Sequence, residues 1–354
     1  MKREEIVVGI IGLVMGRHHL ESALKCGVNV GAICDIDEAQ LKKIGDEFGV
    51  PEEKRFTDYH DLLNNPEINV VLLVVPDQLH LTMTEEFLAA GKHVLCEKPI
   101  TINYALSCEM AEEAKKQGKI LNIGVCNRYH KSVELLAEMN REGKFGNIYH
   151  VYCSFRCFRN IPGLGGAFTD KAQSGGGVLI DWGIHFLDLI LYILGDVKLK
   201  NVTADAYSEM AKDMKSYKYR GTMWAEDTAD VENGTNDVDD YVTGYIRTSG
   251  ASISFNGAWA QNIDKDEMFI DFLGDKAGAR LTYGGKFEVY RGDTLETVKP
   301  EYDIPDMRTR EDEDFFRSID SGIKNKNNID NILETMKLLD ALYASAEKKG
   351  EIVF

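Results

Sequence analysis

The chain has 354 residues, enough for two domains or one large one at about 150 residues per domain. Hydrophobic residues at 44% and charged residues at 28% are ordinary globular values, which excludes wholesale disorder and collagen-like repeats. Against 58 Asp and Glu stand 41 Lys and Arg, a net charge of −17, and so negative a surface repels phosphate backbones and anionic lipid headgroups, setting nucleic acid and membrane aside as partners.

The N-terminus, MKREEIVVGIIG, puts basic residues before an apolar run, but Glu4 and Glu5 and the lack of a small-residue cleavage site argue against a signal peptide. The most apolar stretch, Val178 to Leu194, is interrupted by Asp181, His185 and Asp188, each costly in lipid. Seven cysteines form no paired spacing, and Cys34, Cys96 and Cys126 lie in or at the ends of apolar runs, as reduced thiols do. A reducing cytoplasm is the expected compartment.

In chain order, Ile6 to Ile11, Val28 to Cys34, Val70 to Val75, His93 to Cys96 and Ile120 to Val125 read as buried strands. Between them Arg17 to Lys25, Glu38 to Phe48, Leu79 to Ala90 and Tyr104 to Lys116 carry helical periodicity. This alternation predicts βαβ units and a doubly wound parallel sheet, so the fold class is α/β. A helix from Ser132 to Arg141 follows, and the domain boundary falls near residues 125 to 145.

Beyond it, Val151 to Phe158, Val197 to Tyr207, Tyr241 to Arg247, Ser252 to Trp259, Glu267 to Leu273, Ala279 to Tyr283 and Phe287 to Tyr290 are rich in β-branched and aromatic residues. They predict one open, mainly antiparallel sheet, interrupted by a helix from Gly183 to Leu194 and followed by helices Arg310 to Ile323 and Asn331 to Lys348. The polar stretch Ser208 to Asn236 is either a lid, a subunit contact or a disordered insert. The domains expected are 1–125 and 126–354, with the last helices free to pack back on the first. An open sheet with a face and two edges to cover predicts a homo-oligomer.

Gly12-Leu13-Val14-Met15-Gly16 joins the first strand to the first helix, where backbone N–H groups and the helix dipole can hold a pyrophosphate. Asp35, 23 residues after Gly12 and at the end of the second strand, can accept hydrogen bonds from ribose hydroxyls. Ile36, Asp37 and Glu38 follow it, with no Arg to meet a 2′-phosphate, so the cofactor expected is NAD rather than NADP. The glycine pattern is imperfect: Val14 stands at the expected middle glycine and Gly16 comes one place early. Either the loop is a residue shorter or Val14 crowds the phosphate side. The bland alternative is a tight turn that binds nothing.

Glu97-Lys98-Pro99 after the strand His93 to Cys96, together with GGGVLIDWGIHFLDL from Gly175 to Leu189, resembles the Gfo/Idh/MocA family of NAD(P)-dependent sugar and polyol oxidoreductases. Val74-Val75-Pro76 followed by His80 and the helix ending ALYASA also look like this family, over nearly the whole chain. The resemblance implies an N-terminal Rossmann domain and a C-terminal substrate-binding and oligomerisation domain. It implies cofactor contacts from Pro76, His80, Glu97 and Lys98, and a site of Lys98, Asp181 and His185, with Pro99 often cis. Four residues apart on a helix starting near residue 181, Asp181 and His185 share a face. The Gly175 to Gly177 triplet would let the chain approach the cofactor closely.

His185, with an ordinary pKa near ~6.5, suits the role of base for a hydroxyl proton, with Lys98 steadying the developing alkoxide. Otherwise His185 is a satisfied core histidine and Asp181 an N-cap. Of Tyr152, Arg156, Phe158 and Arg159, alternate parity lets at most half face a substrate, and Arg156 is the choice. Trp259 reads as a sheet-packing residue. The eight histidines show no metal-ligand spacing, His18 and His19 packing beside the phosphate loop, so no metal is expected. The expected activity is NAD-dependent oxidation of a secondary hydroxyl of a sugar or glycoside, the C3 hydroxyl of a glucoside being favoured. Three alternatives stand beside it: inositol dehydrogenase, a redox-neutral NAD-dependent glycosidase or lyase, and a non-catalytic NAD-binding sensor.

Overall fold

Short strands buried on both faces build the first half of the chain in the computed structural model, which describes residues 1–220 and 225–354. They are β1 (Val7–Ile11), β2 (Asn29–Cys34), β3 (Arg55–Phe56), β4 (Val70–Leu73), β5 (His93–Glu97) and β6 (Leu121–Gly124). The helices between them are α1 (Leu13–Lys25), α2 (Glu38–Glu47), α3 (Tyr59–Leu63), α4 (His80–Ala89) and α5 (Tyr104–Gln117). All pairings are parallel, in the order β3-β2-β1-β4-β5-β6. Strand order reverses between β1 and β4, and the carboxyl ends of strands at such a switch point are where doubly wound sheets bind ligands. Strand β3 was not legible because it is two residues long.

After Tyr129 the chain enters a second unit with α6 (Lys131–Arg141), β7 (Ile148–Arg156), α7 (Lys171–Ser174), α8 (Ile184–Leu194) and β8 (Leu199–Tyr207). Strands β9 (Tyr241–Thr248), β10 (Ser252–Ala258), β11 (Glu267–Gly274), β12 (Ala277–Thr282), β13 (Lys286–Arg291) and β14 (Thr297–Val298) follow. In the polar stretch 208–236, short 3-10 turns stand at Met214–Ser216 and Glu226–Thr228, and residues 221–224 lie outside the described residues.

The chain then rejoins the first unit. Residues Pro305–Leu333, with α9 (Met307–Ser321), belong with Met1–Tyr129, and the second unit is His130–Ile304 and Glu334–Phe354. The first unit is therefore made of two chain segments, the second of them carrying α9. Phe315, Phe316 and Ile319 of α9 are buried in the same core as Ile10, Leu13, Leu20 and Leu72. The last elements, α10 (Leu333–Lys348) and β15 (Ile352–Val353), complete the second unit.

The second unit's sheet runs β14-β13-β12-β11-β7-β10-β9-β8-β15. Its pairings are antiparallel except β7 with β10, so it is a mixed sheet. Alternation sorts β7 into two faces. Val151, Cys153 and Phe155 are buried, Phe155 stacking on Phe186 of α8 at 4.9 Å between ring centroids. The opposite face carries His150, Tyr152, Ser154 and Arg156. The apolar helix α8 is mostly buried in this unit, as a core helix is.

Phe155 also stacks on Phe255 of β10, at 6.3 Å. Truncation of a fully buried aromatic at the contact of helix and sheet is expected to cost about 3–5 kcal/mol. Phe155→Ala should lower the urea midpoint of the transition that includes the second unit, and an unchanged midpoint would refute this packing.

Candidate active site

In the first unit the turn between β1 and α1 is as short as a turn can be. Gly12 has φ +82°, and a Cβ there would lie 1.9 Å from the Val74 carbonyl oxygen, so no other residue fits. The helix begins at Leu13, earlier than the expected Arg17. This resolves the imperfect glycine pattern: the loop is shorter, and Val14 and Met15 project outward at 67% and 45% exposure. Gly16 is buried one turn into α1, where a Cβ would meet Ile10 at 3.3 Å, so it lets the helix lie close on the sheet. A helix start lacks internal acceptors for its first N–H groups. Two of these are satisfied by the next strand: Gly12 donates to the Cys34 carbonyl at 2.9 Å and Leu13 to Asp35 Oδ2 at 2.7 Å. Asp35 Oδ1 accepts from the Asp37 amide at 2.9 Å.

The turn after β5 holds Lys98, half-buried, with a cis Lys98–Pro99 bond. His80 is fully buried beneath it. One ring nitrogen lies 2.8 Å from the Pro99 carbonyl and 3.3 Å from that of Ile100, and the other lies 2.9 Å from the Val75 carbonyl. With both nitrogens so engaged, His80 braces the turn. Burial alone would push its pKa down, but the neighbouring Cys96 and the Pro99 carbonyl push it up to about 10. Pro76, which follows the Val75 carbonyl that His80 holds, is exposed at the start of a 3-10 turn, Asp77–Leu79.

Glu97 lies at the centre of a buried ionic cluster. Its Oε1 accepts from Arg308 of α9 at 2.9 Å and faces His19 Nε2 of α1 at 3.2 Å, while Oε2 accepts the Lys98 amide at 3.0 Å. On its other side His19 Nδ1 meets Asp312 at 2.9 Å. Burial would raise the Glu97 pKa, but the hydrogen bond and charge of His19 and the charge of Arg308 hold it well below the usual carboxylate range. Burial would lower that of His19, and the flanking Asp312 and Glu97 push it up to about 10. The neighbouring Glu311 is buried with one oxygen accepting from Asn327 Nδ2 at 2.7 Å, and burial pushes its pKa well up.

In the second unit the residues before α8 form a π-helical turn, Leu179–Gly183. Such insertions cluster at functional sites. Asp181 lies within it, buried, with Oδ2 accepting the indole N–H of Trp259 at 3.2 Å. Trp259 is thus both packed and polar in its function. His185 is half-buried in the first turn of α8. Asp181 is not the cap. That role falls to Asp239, whose two oxygens accept from Gly177 at 2.8 Å and Leu179 at 2.9 Å, with the Tyr343 hydroxyl at 2.8 Å.

A Cβ at Gly177 would lie 1.9 Å from the Asp239 carbonyl oxygen, so the glycine run makes a close approach to this unit's own backbone. Arg156 lies on the face of β7 opposite to Phe155 and α8, and its guanidinium pairs with Glu267 of β11. It lies on the face of the strand away from the helix that carries His185. Parity divided the strand properly but did not say which class faced the helix.

Sequence reasoning missed Arg308, Asp312, Asp239 and Tyr343. One signal was available for the cluster: Leu13, Gly16, His19, Leu20 and Ala23 are the buried stripe of α1, so His19, unlike His18, sits at a core position.

Residues 6–125 match the Gfo/Idh/MocA oxidoreductase family, NAD-binding Rossmann fold, and residues 133–280 match the Gfo/Idh/MocA C-terminal domain. The chain is 28% identical to D-glucoside 3-dehydrogenase of Escherichia coli strain K12, over 98% of this chain and 97% of that one. It is 30% identical to myo-inositol 2-dehydrogenase of Thermotoga maritima, over 56% of this chain and 57% of that one. Among solved structures, levoglucosan dehydrogenase in complex with NADH and levoglucosan aligns with a TM-score of 0.83 at 20% identity, covering 98% of this chain and 99% of that one. That last likeness is one of fold.

The raised pKa of His19 has a consequence for stability. A histidine at about 10 when folded and ~6.5 when unfolded contributes stability that is fully present below pH ~6.5 and is lost as pH rises through about 10. The stability difference between wild type and His19→Gln, measured by urea unfolding, should therefore narrow steadily from neutral to alkaline pH. A difference that is constant with pH would refute the charged state of the ring.

Proposed function

Because the chain belongs to the Gfo/Idh/MocA oxidoreductase family, we propose that it oxidises a secondary hydroxyl of a sugar or glycoside, the C3 hydroxyl of a glucoside being the preferred position, with NAD as acceptor. The observation that carries this reading is extent. Likeness to the glucoside 3-dehydrogenase runs almost end to end, whereas that to the inositol dehydrogenase stops at little more than half of each chain.

The first unit fits a dinucleotide on its own terms. The Gly12 turn at the switch point leaves the first-turn amides of Val14 and Met15 without internal acceptors, and a helix start of this kind favours phosphate. Asp35 fixes that turn through Leu13 and is half-exposed, free to accept ribose hydroxyls with its remaining lone pairs. The carboxylates of Asp35 and Asp37 on one short segment disfavour a 2′-phosphate, which supports NAD over NADP. When bound there, the nicotinamide supplies the hydride acceptor.

This chain's own residues then handle the proton and the substrate. In this reading His185 takes the hydroxyl proton as the carbonyl forms, Lys98 steadies the negative charge developing on that oxygen, and Asp181, its carboxylate held by the Trp259 indole, orients a sugar hydroxyl. The second unit supports such a task because Asp239 and Trp259 fix the helix start and the carboxylate before any substrate arrives.

NAD, purified protein and a panel of hexoses, glucosides and inositols test the reading. Accumulation of NADH with a keto-glycoside product is expected. Glycoside cleavage without net NADH would replace it with a redox-neutral glycosidase, and NAD binding without turnover would replace it with a sensor. Lys98→Met and His185→Ala should each lower kcat by roughly 10²- to 10⁴-fold. Asp35→Ala should lower the ratio of kcat/KM with NAD to that with NADP by about tenfold or more, the value of lost hydrogen bonds to a charged group; an unchanged ratio would remove Asp35 from cofactor choice.

A further inference from the structure

The Glu97 carboxylate is a junction between two kinds of partner. One oxygen receives two cationic donors, Arg308 at 2.9 Å and His19 at 3.2 Å, and the other receives the Lys98 amide at 3.0 Å. A carboxylate is planar, so fixing one oxygen fixes the direction from which the other accepts. The cations are fixed in their turn. His19 is held from behind by Asp312 at 2.9 and 3.1 Å, and Arg308 and Asp312 stand one turn apart on α9, addressing α1 and β5 from the same side. On the far side of Lys98, His80 holds the Pro99 and Ile100 carbonyls. The Lys98 backbone is therefore gripped both before and after the residue.

A buried ionic cluster stabilises a fold no better than well-packed apolar side chains of the same volume. Cohesion between α1, β5 and α9 is already supplied by the apolar core in which Leu13, Leu20, Leu95, Phe315 and Phe316 are buried together. What apolar packing does not supply is direction at the Lys98 peptide.

We propose that His19 and Arg308 are positioning residues for Lys98: acting together on Glu97, they orient the Lys98 peptide and so the line along which its ammonium is presented, an inference that rests on the reading of Lys98 as a residue of the reaction. Neither touches the reacting atoms in this scheme. Their contribution passes through one carboxylate.

The test is a double-mutant cycle on the full chain with saturating NAD and the substrate found by the panel. His19→Gln and Arg308→Lys, each close in size to the residue replaced, should lower kcat by roughly 10- to 100-fold, the range for small misplacements of a reacting group. The KM for NAD should stay within about twofold, and in a Lys98→Met background the same substitutions should cause no further loss. The same fold loss with and without Lys98, or an unchanged kcat beside a lowered melting temperature, would overturn the proposal and leave the cluster a structural one. Full activity of Lys98→Met would overturn the catalytic reading of that lysine, and the positioning role with it. If one of the two variants fails to fold, the other decides, since both act on the same oxygen.

Discussion

A carboxylate taken out of water at the end of a central strand has to be neutralised where it stands, and the first unit is arranged around that requirement at Glu97. Isolated burial of such a charge is prohibitive, and removal of one partner from a buried pair costs about 3–5 kcal/mol. The neutralising groups come from elements 78 and 211 residues away, His19 on α1 and Arg308 on α9. A chain that needs Arg308 beside β5 must bring residues 305–333 back after building most of the second unit. The return is reinforced by Phe315, Phe316 and Ile319 in the core. Two carboxylates, Glu97 and Asp312, thus face two basic side chains, Arg308 and His19, while burial pushes the pKa of the neighbouring Glu311 well up.

The second unit solves a related problem with a second buried carboxylate. Burial pushes the Asp239 pKa up, while the amides of Leu179 and Gly177 and the Tyr343 hydroxyl draw it down. The two amides are donors of the kind that a helix start leaves unsatisfied, so the carboxylate and the helix satisfy each other. In both units a fixed acid stands just upstream, in structural logic, of the residues proposed for chemistry: Glu97 before Lys98, and Asp239 before the turn that carries Asp181 and His185. Anchoring the backbone by buried hydrogen bonds leaves the functional side chains only their own torsions to settle.

What could be read from the sequence follows from how far apart the interacting residues lie. The strands of the first unit were legible because runs such as Val70 to Leu73 are buried on both faces and therefore apolar throughout. Gly12 and Asp35 were legible because strand, tight turn, helix, strand and acid follow in order within one βαβ unit. The cluster at Glu97 was not, since nothing local to Arg308 announces a partner on β5 and nothing local to Asp312 announces one on α1. The acids themselves were a hint: Glu311, Asp312, Phe315, Phe316 and Ile319 share the buried stripe of α9, and an acid on such a stripe needs a partner. Arg156 shows the converse limit. Parity puts it in the class opposite Phe155, but only the stacking of Phe155 on Phe186 says which class meets α8.

The departure from the glycine pattern at Val14 follows from the same economy of donors. A longer loop brings backbone at its middle position close to a phosphate, and a β-branched residue there would obstruct it. Here the helix starts at Leu13, so position 14 is already in the first turn and its side chain points outward. The steric demand for a glycine moves to Gly12 alone, where the Val74 carbonyl leaves no room for a Cβ. Asp35 makes the early start tolerable by accepting the Leu13 amide that would otherwise be unpaired. One carboxylate thus holds the turn through the Leu13 amide, and in the proposed reading it also accepts the ribose hydroxyls, so a single side chain would link the two ends of the dinucleotide subsite.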